Sequence, residues 1–344
     1  MACFAGIHRL SSYLHSLMNT KTPINETLFL ERYEKLNERQ KEAVDTIYGA
    51  VMVIAGPGTG KTEVLAMRIA QLLRSDAQVQ PQEILCLTYT EEATSSMRRR
   101  LTQIMGAAAH KVNIHTFHGF CNTVIQNNSE YFSKREMQPI TDLERADMLH
   151  KLLDELPSGH LLRRLSGDLY YDTGRLTRLF DLMKKEHLTP EYISNAIDAY
   201  VESLPDRENF RYKRATGNFK KGDLKQSQYD EEVRKVQLTK AAALLFPVYS
   251  EMMRAAGRYD FTDMILWVLD AFEKHHWLLQ SYQERYQFIL VDEFQDTNGA
   301  QNEILKQLSA YWDNPNVFVV GDDDQSIYEF QGARIRNIIE FYER

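Results

Sequence analysis

VMVIAGPGTGKT, residues 51–62, carries an apolar run straight into a glycine-rich turn, and Thr62–Leu73 continues with apolar positions at helical spacing. Strand, glycine-rich turn and helix in that order form a phosphate-binding loop. Gly56, Gly58 and Gly60 permit tight turns that bring backbone N–H groups close to a phosphate, and the helix that follows points its positive end at the anion. Lys61 can reach the β- and γ-phosphates, and the Thr62 hydroxyl can join a Mg²⁺ shell. The strict pattern has Gly where this chain has Ala55, a small change. Residues Ala55, Gly56, Pro57, Gly58, Thr59, Gly60, Lys61 and Thr62 are therefore the candidate nucleotide-binding set. The loop specifies a nucleotide and leaves the reaction open.

Outward from it, short apolar runs alternate with helical segments. ILCLT (84–88) and Val112–His115 read as strands, and Glu91–Ile104 and Phe117–Ile125 as helices. The alternation stops near Tyr131, gives way to a charged helical stretch (Glu144–Leu156, Arg175–His187, Pro190–Ser203), and returns with FILV (288–291) and VFVV (317–320). Such alternation predicts a parallel sheet with helices on both faces, here interrupted by a mainly helical insertion. The expected organisation is an N-terminal extension (1–35), the first part of the α/β domain (36–130), an inserted helical subdomain (131–240) and the second part (241–344).

Composition narrows the class. Of 344 residues 43% are hydrophobic and 26% charged, as in globular chains. A net charge of −7, from 41 basic and 48 acidic residues, excludes a uniformly basic nucleic-acid coat while allowing a local basic groove. Cys3, Cys86 and Cys121 are too few and too far apart for a disulfide framework or a thiolate zinc site. No apolar stretch is long enough to span a membrane. MACFAGIHRLSSYLHSLM at the N-terminus is broken by His8, Arg9 and His15, which suits no signal peptide. A soluble cytoplasmic protein is expected.

FILVDEFQDT (288–297) delivers Asp292 and Glu293 at the carboxyl end of a strand, the edge where ligands sit in open α/β sheets. Asp292 can hold Mg²⁺ and Glu293 can orient and deprotonate an attacking water. VFVVGDDDQSIYEFQGA (317–333) ends another strand in a polar turn carrying Gln325, whose amide can report a γ-phosphate.

These stretches together resemble the first half of superfamily 1 DNA helicases of the UvrD/Rep/PcrA type. The resemblance runs in order through LNERQKEAV (36–44), AGPGTGKT (55–62), ILCLTYTEEATSSMRRRL (84–101), NIHTFHGFC (113–121), YDFTDMI (259–265), ILVDEFQDT (289–297) and VFVVGDDDQSIYEFQGA (317–333). It implies a RecA-like P-loop NTPase fold using ATP and Mg²⁺. Gln40 would read the adenine edge, Thr62 and Asp292 would hold the metal, and Lys61, Glu293 and Gln325 would serve catalysis. The implied partner is single-stranded DNA, with single-/double-strand junctions, in repair or recombination, and the implied direction is 3′ to 5′. The strand would run along Tyr89, Thr116, Phe117, His118, Tyr328 and Phe330, and aromatics at strand ends are platforms on which any base can stack.

The chain departs from the family where Glu63 replaces a basic residue, Glu91-Glu92 replaces Asn-Lys, and Glu329-Phe330-Gln331 replaces Trp between two arginines. All three remove positive charge near the implied DNA track. Residues 207–240 offset this with ten Lys/Arg against five Asp/Glu, interleaved with Phe210, Tyr212, Phe219 and Tyr229. Such a patch can neutralise phosphates; a solvated charged loop is the alternative. The family's motor has two RecA-like lobes, whereas this motif series stops near Arg344. The resemblance therefore implies an ATP-binding half, poorly active alone because the arginines of the missing second lobe are absent. A nucleotide-dependent DNA-binding module with little turnover, or the N-terminal part of a helicase–nuclease, are the other readings. A small-molecule kinase would leave the TFHGF and DEFQD stretches unexplained.

Overall fold

The computed structural model describes residues 22–75, 78–132, 137–163, 167–215, 217 and 219–322. They fall into two compact units, residues 1–132 with 267–344, and residues 133–266.

The first unit opens with helices α1 (Glu26–Glu34) and α2 (Glu38–Asp45), followed by β1 (Val51–Ile54), α3 (Lys61–Ser75), β2 (Ile84–Thr88), α4 (Glu91–Met105), β3 (Asn113–Thr116) and α5 (Phe117–Asn127). The second unit contributes β4 (Gln138–Pro139), α6 (Asp142–Asp154), α7 (Thr173–Lys185), α8 (Pro190–Ser203), α9 (Gln226–Ala243), α10 (Phe246–Ala255) and β5 (Arg258–Tyr259). The chain then forms α11 (Phe261–Lys274), α12 (His276–Arg285), β6 (Phe288–Val291), α13 (Gly299–Ser309) and β7 (Asn316–Gly321).

The main sheet has the order β1-β7-β6-β2-β3, and every pair in it is parallel. Register is set by pairs such as Val51 with Phe318, Phe288 with Asn316, Ile84 with Phe288 and Leu85 with Asn113. Successive strand residues point to opposite faces. On one face Ile84, Cys86, Leu290 and Phe318 pack against Leu65 and Ile69 of α3 and Leu101 of α4. Their neighbours Leu85, Leu87, Ile289 and Val291 are buried as well, so both faces are covered, as the unbroken apolar runs predict. The fold is the α/β parallel sheet with flanking helices expected from the sequence.

The expected N-terminal extension behaves differently over residues 26–34. Phe29 of α1 is buried in the core of the first unit, and Arg74 pairs with Glu26 at 2.9 Å while lying over the Phe29 ring. The single Phe gave no helical stripe long enough to read in sequence. Arg68, buried in α3, fastens α2 in the same way. It donates to the Ala43 and Ile47 carbonyls at 2.7 and 3.1 Å, and its guanidinium lies 4.3 Å from the Phe318 ring centroid. Burial draws its pKa down to about 10, so it stays charged at neutral pH.

The second unit has its own core, with Leu149, Leu152 and Leu153 of α6, Phe180 and Met183 of α7, Ala243 of α9, and Tyr249 and Met253 of α10. The expected insertion ended at 240, inside α9. The core continues past that point because Ala243, Tyr249 and Met253 pack on the same leucines. Lys184 is buried between Asp260 at 2.6 Å and Asp263 at 2.7 Å. Burial pulls its pKa down, but the two carboxylates outweigh that and hold it above the ordinary lysine value. No helix among the described residues is long and apolar enough to cross a membrane.

Candidate nucleotide site

Because all five strands of the main sheet run parallel, their carboxyl ends share one edge. The phosphate loop leaves β1, Tyr89 follows β2, Phe117 follows β3, Asp292 follows β6 and Asp322 follows β7. Sheet order brings three of these together, since β7 lies between β1 and β6.

The loop itself is shaped by local contacts. Gly58 and Gly60 have φ of 73° and 87°, a region where any Cβ is strained. The Thr59 hydroxyl donates to the Gly56 carbonyl at 2.7 Å and closes the turn. Ala55 N–H donates to the Gly321 carbonyl at 2.9 Å and extends the β1–β7 ladder by one rung. Pro57, Gly58, Thr59 and Gly60 are exposed, although the Thr59 carbonyl accepts from Gln40 and the Gly60 carbonyl from the first turn of α3.

Lys61 opens α3 and is only 8% exposed. Its Nζ lies 3.3 Å from Glu293 Oε2 and 3.4 Å from Asp322 Oδ2. The next residue, Thr62, acts on the Asp292 carboxyl and favours its charged form. Burial, then the neighbouring Glu293 charge, push the Asp292 carboxyl up to about 6; hydrogen bonds from the Glu293 N–H and Thr62 and the Lys61 charge act the other way. Asp296 is raised in the same direction by burial and by Glu293.

Glu293 sits in a left-handed conformation with φ of 49°, unusual for a residue with a Cβ. Gln295, fully buried, holds it there: its Nε2 donates to Glu293 Oε2 at 2.9 Å, while its Oε1 accepts from Asp322 N–H at 2.9 Å. This amide ties the end of β6 to the end of β7. A Cβ on Gly321 would lie 3.0 Å from that Oε1. Gly321→Ala should therefore displace Gln295, leave the buried Asp322 N–H unpaired and cost about 1–3 kcal/mol. A thermal melt reads this, and a variant as stable as the parent would contradict it.

Gln40 borders the loop from α2. Its Nε2 donates to the Thr59 carbonyl at 2.8 Å and its Oε1 accepts from Asn37 N–H at 2.9 Å in a capping box. A primary amide has two N–H groups and two lone pairs, so one of each is left for a planar ring edge.

At the other strand ends, Tyr89 is 55% exposed, as a base platform requires. The expectation for Phe117 is not met: its side chain is 2% exposed, packed inward at the start of α5, and has no face to offer. Thr116 is buried too. Its hydroxyl donates to Glu91 Oε1 at 2.9 Å and accepts from Gly119 N–H at 3.0 Å, capping α5. His118 is half-buried. Gln325, Tyr328 and Phe330 lie outside the described residues. Glu63 has a structural role, bridging Arg32 at 3.3 Å and Arg100 at 2.5 Å. Gln295, Gly321, Asp322 and Arg68 were not singled out by sequence as site residues. The only available signal for Gln295 was its position two residues beyond Glu293.

The donor set fits a magnesium nucleotide. Mg²⁺ takes hard oxygen ligands, commonly one or two from protein with the rest from phosphates and water, and Thr62 beside Asp292 is such a pair. Comparison with known proteins gives the family. Residues 36–344 match the UvrD/REP helicase N-terminal domain. Similar proteins include the ATP-dependent DNA helicase PcrA of Bacillus subtilis, 31% identical over 306 residues, covering 89% of this chain and 35% of PcrA. Others are a probable DNA helicase II homolog of Mycoplasma pneumoniae, 30% identical over 312 residues (89% and 37%), and the ATP-dependent DNA helicase UvrD1 of Mycobacterium bovis, 31% over 314 residues (89% and 35%). The chain thus spans about a third of the length of these relatives. With the phosphate loop, the acidic end of β6 and a match across nearly its whole length, the chain belongs to the UvrD/REP helicase N-terminal domain family.

Proposed function

We propose that this chain is the ATP-binding half of an ATP-dependent DNA helicase, acting in the cytoplasm on single-stranded DNA and its junctions with duplex, in the 3′-to-5′ direction. The observation that carries the reading is the pairing across the sheet edge of the phosphate-loop Lys61 with Glu293 after β6 and Asp322 after β7. The exposed loop N–H groups and Lys61 would bind the phosphates. Thr62 and Asp292 would hold magnesium, which when bound would neutralise charge on the transferring phosphoryl group. Glu293, held by Gln295, would orient water and accept its proton. Gln40 would use its spare N–H and lone pair on the adenine edge, and Gln325 would sense the γ-phosphate. Tyr89 would stack a base. A second RecA-like lobe would supply arginines to the same phosphates, a contribution of several orders of magnitude in comparable enzymes.

The test is Mg-ATP binding together with steady-state ATP hydrolysis, with and without single-stranded DNA, using Lys61→Ala as the blank. The expected result is magnesium-dependent binding with turnover near the blank. Failure to bind Mg-ATP overturns the proposal. Strong DNA-stimulated turnover that Lys61→Ala abolishes overturns the requirement for a second lobe.

A further inference from the structure

In the second unit, residues 210–212 and 222–225 pair antiparallel as the two arms of a short hairpin. Arg211 bridges Leu224, Tyr212 N–H donates to the Asp223 carbonyl and Gly222 N–H to the Tyr212 carbonyl at 2.9 Å each, and Lys225 N–H donates to the Phe210 carbonyl at 2.7 Å. On it the rings of Tyr212 and Phe219 stack in parallel, with centroids 4.7 Å apart and planes 11° apart. Tyr212 is half-buried and forms the inner ring, whereas Phe219 is 47% exposed. Neither ring belongs to the unit's hydrophobic core.

The cations on this hairpin divide by use. Seven Lys/Arg lie between 207 and 225 against two acidic residues. Those at its base are engaged. Arg207 lies over the Tyr200 ring, Arg211 donates to the Gly222 carbonyl and pairs with Asp206, and Lys225 donates to the Asn209 carbonyl. Arg214 is engaged as well, and the remaining three are different. Lys213, Lys220 and Lys221 are exposed and make no ion pair or side-chain hydrogen bond with any described residue. Of the two acids, Asp223 is turned onto the Lys220 N–H at 2.6 Å, which anchors the turn.

Folding does not account for this arrangement. A ring left half exposed forgoes burial, and Lys213, Lys220 and Lys221 stand exposed on one short segment with no ion pair to any described residue to offset their charge. Both features suit one ligand chemistry, a flat π system attached to a string of phosphates. We infer that the hairpin is a binding site for single-stranded nucleic acid, with an unpaired base extending the Tyr212–Phe219 stack and Lys213, Lys220 and Lys221 on the adjoining phosphates. Duplex fits less well, because its bases are already stacked within the helix. An anionic lipid surface would match the lysines but has no planar group for Phe219. The inference deepens the reading of the protein as a single-strand DNA motor by naming a second contact for the strand, and its test uses no nucleotide, so that the two can fail separately.

The experiment is fluorescence anisotropy of a labelled oligothymidylate titrated with the full chain, at several salt concentrations and without nucleotide. Phe219→Leu keeps an apolar side chain of similar bulk but removes the ring; it should weaken binding roughly 5- to 150-fold, the range spanned by loss of one base–ring stack. The combined Lys213→Gln, Lys220→Gln and Lys221→Gln variant should lower the salt slope by about 2, from roughly 0.7 per phosphate neutralised. Lys235→Gln, whose lysine already pairs with Glu231 at 2.9 Å on α9, should change neither quantity. Unchanged binding by Phe219→Leu, with melting temperature and Mg-ATP affinity intact, overturns the inference. So does binding to phosphatidylserine vesicles or blunt duplex that exceeds oligothymidylate binding and is indifferent to Phe219→Leu.

Discussion

Lys61→Met is expected to weaken Mg-ATP binding by roughly 30- to 150-fold, the equivalent of one lost charge-assisted contact at about 2–3 kcal/mol. Around Lys61 the sheet edge carries the carboxylates of Asp292, Glu293 and Asp322, and Lys61 contacts two of them at 3.3 and 3.4 Å. A triphosphate adds further negative charge to the same place. Without the ammonium, magnesium at Thr62 and Asp292 would have to offset all of it. The same substitution removes the positive charge that lowers the Asp292 pKa, so Asp292 should hold its proton to higher pH. Magnesium-dependent binding should then shift to more alkaline conditions as well as weaken. Titration of a fluorescent ATP analogue at several pH values reads both effects. Equal affinity in parent and variant across that range would remove Lys61 from the site.

Asp292→Asn should have opposite effects on stability and on binding. Below the ordinary carboxyl value of 3.8, Asp292 is protonated in the folded and unfolded chain alike, and it contributes nothing to pH dependence. As pH rises from there, the unfolded chain ionises while the folded chain keeps its proton up to about 6. The native state therefore loses stability across that window and holds a constant deficit above it, on the order of 3 kcal/mol at about 1.4 kcal/mol per unit. Asparagine has nearly the same shape and no charge, so the nucleotide-free variant should be more stable by about that amount at pH 7.5 and by only about 0.5 kcal/mol at pH 4, just above the ordinary carboxyl value. Its Mg-ATP should bind far more weakly, since the metal loses its carboxylate. Denaturant unfolding at both pH values, with and without Mg-ATP, separates the two effects. A stability gain of the same size at pH 4 would show that something other than the buried charge is responsible. A site that raises its own carboxyl in this way gives up stability for function.

The acidic departures have different consequences. Glu63 is enclosed by Arg32 and Arg100 and serves to hold α1 and α4 against α3. Glu91 takes the Thr116 hydroxyl and so places a carboxylate at the end of β3. Tyr89 stays exposed beside it, which leaves stacking available there where charge attraction is reduced.

Local sequence by itself determined every strand of the main sheet and the phosphate loop, because buried parallel strands are unbroken apolar runs and a tight phosphate turn needs glycine. It also placed Asp292 and Glu293 at a strand end, since that needs only the run that precedes them. Only the tertiary structure decided which strand ends are neighbours. Strand order puts β7 between β1 and β6, and so brings Asp322 to Lys61, 261 residues away in the chain. The role of Gln295 depends on that same adjacency, since one end of its amide reaches β7. Phe117 shows the reverse case. Its position after β3 suggested a platform, but which way a ring turns at the start of a helix depends on the apolar surface around it, and here that surface is inside. The Tyr212–Phe219 stack likewise existed in sequence only as two aromatics in a basic stretch, until the fold placed one ring on the other and left three lysines without an ion pair to any described residue.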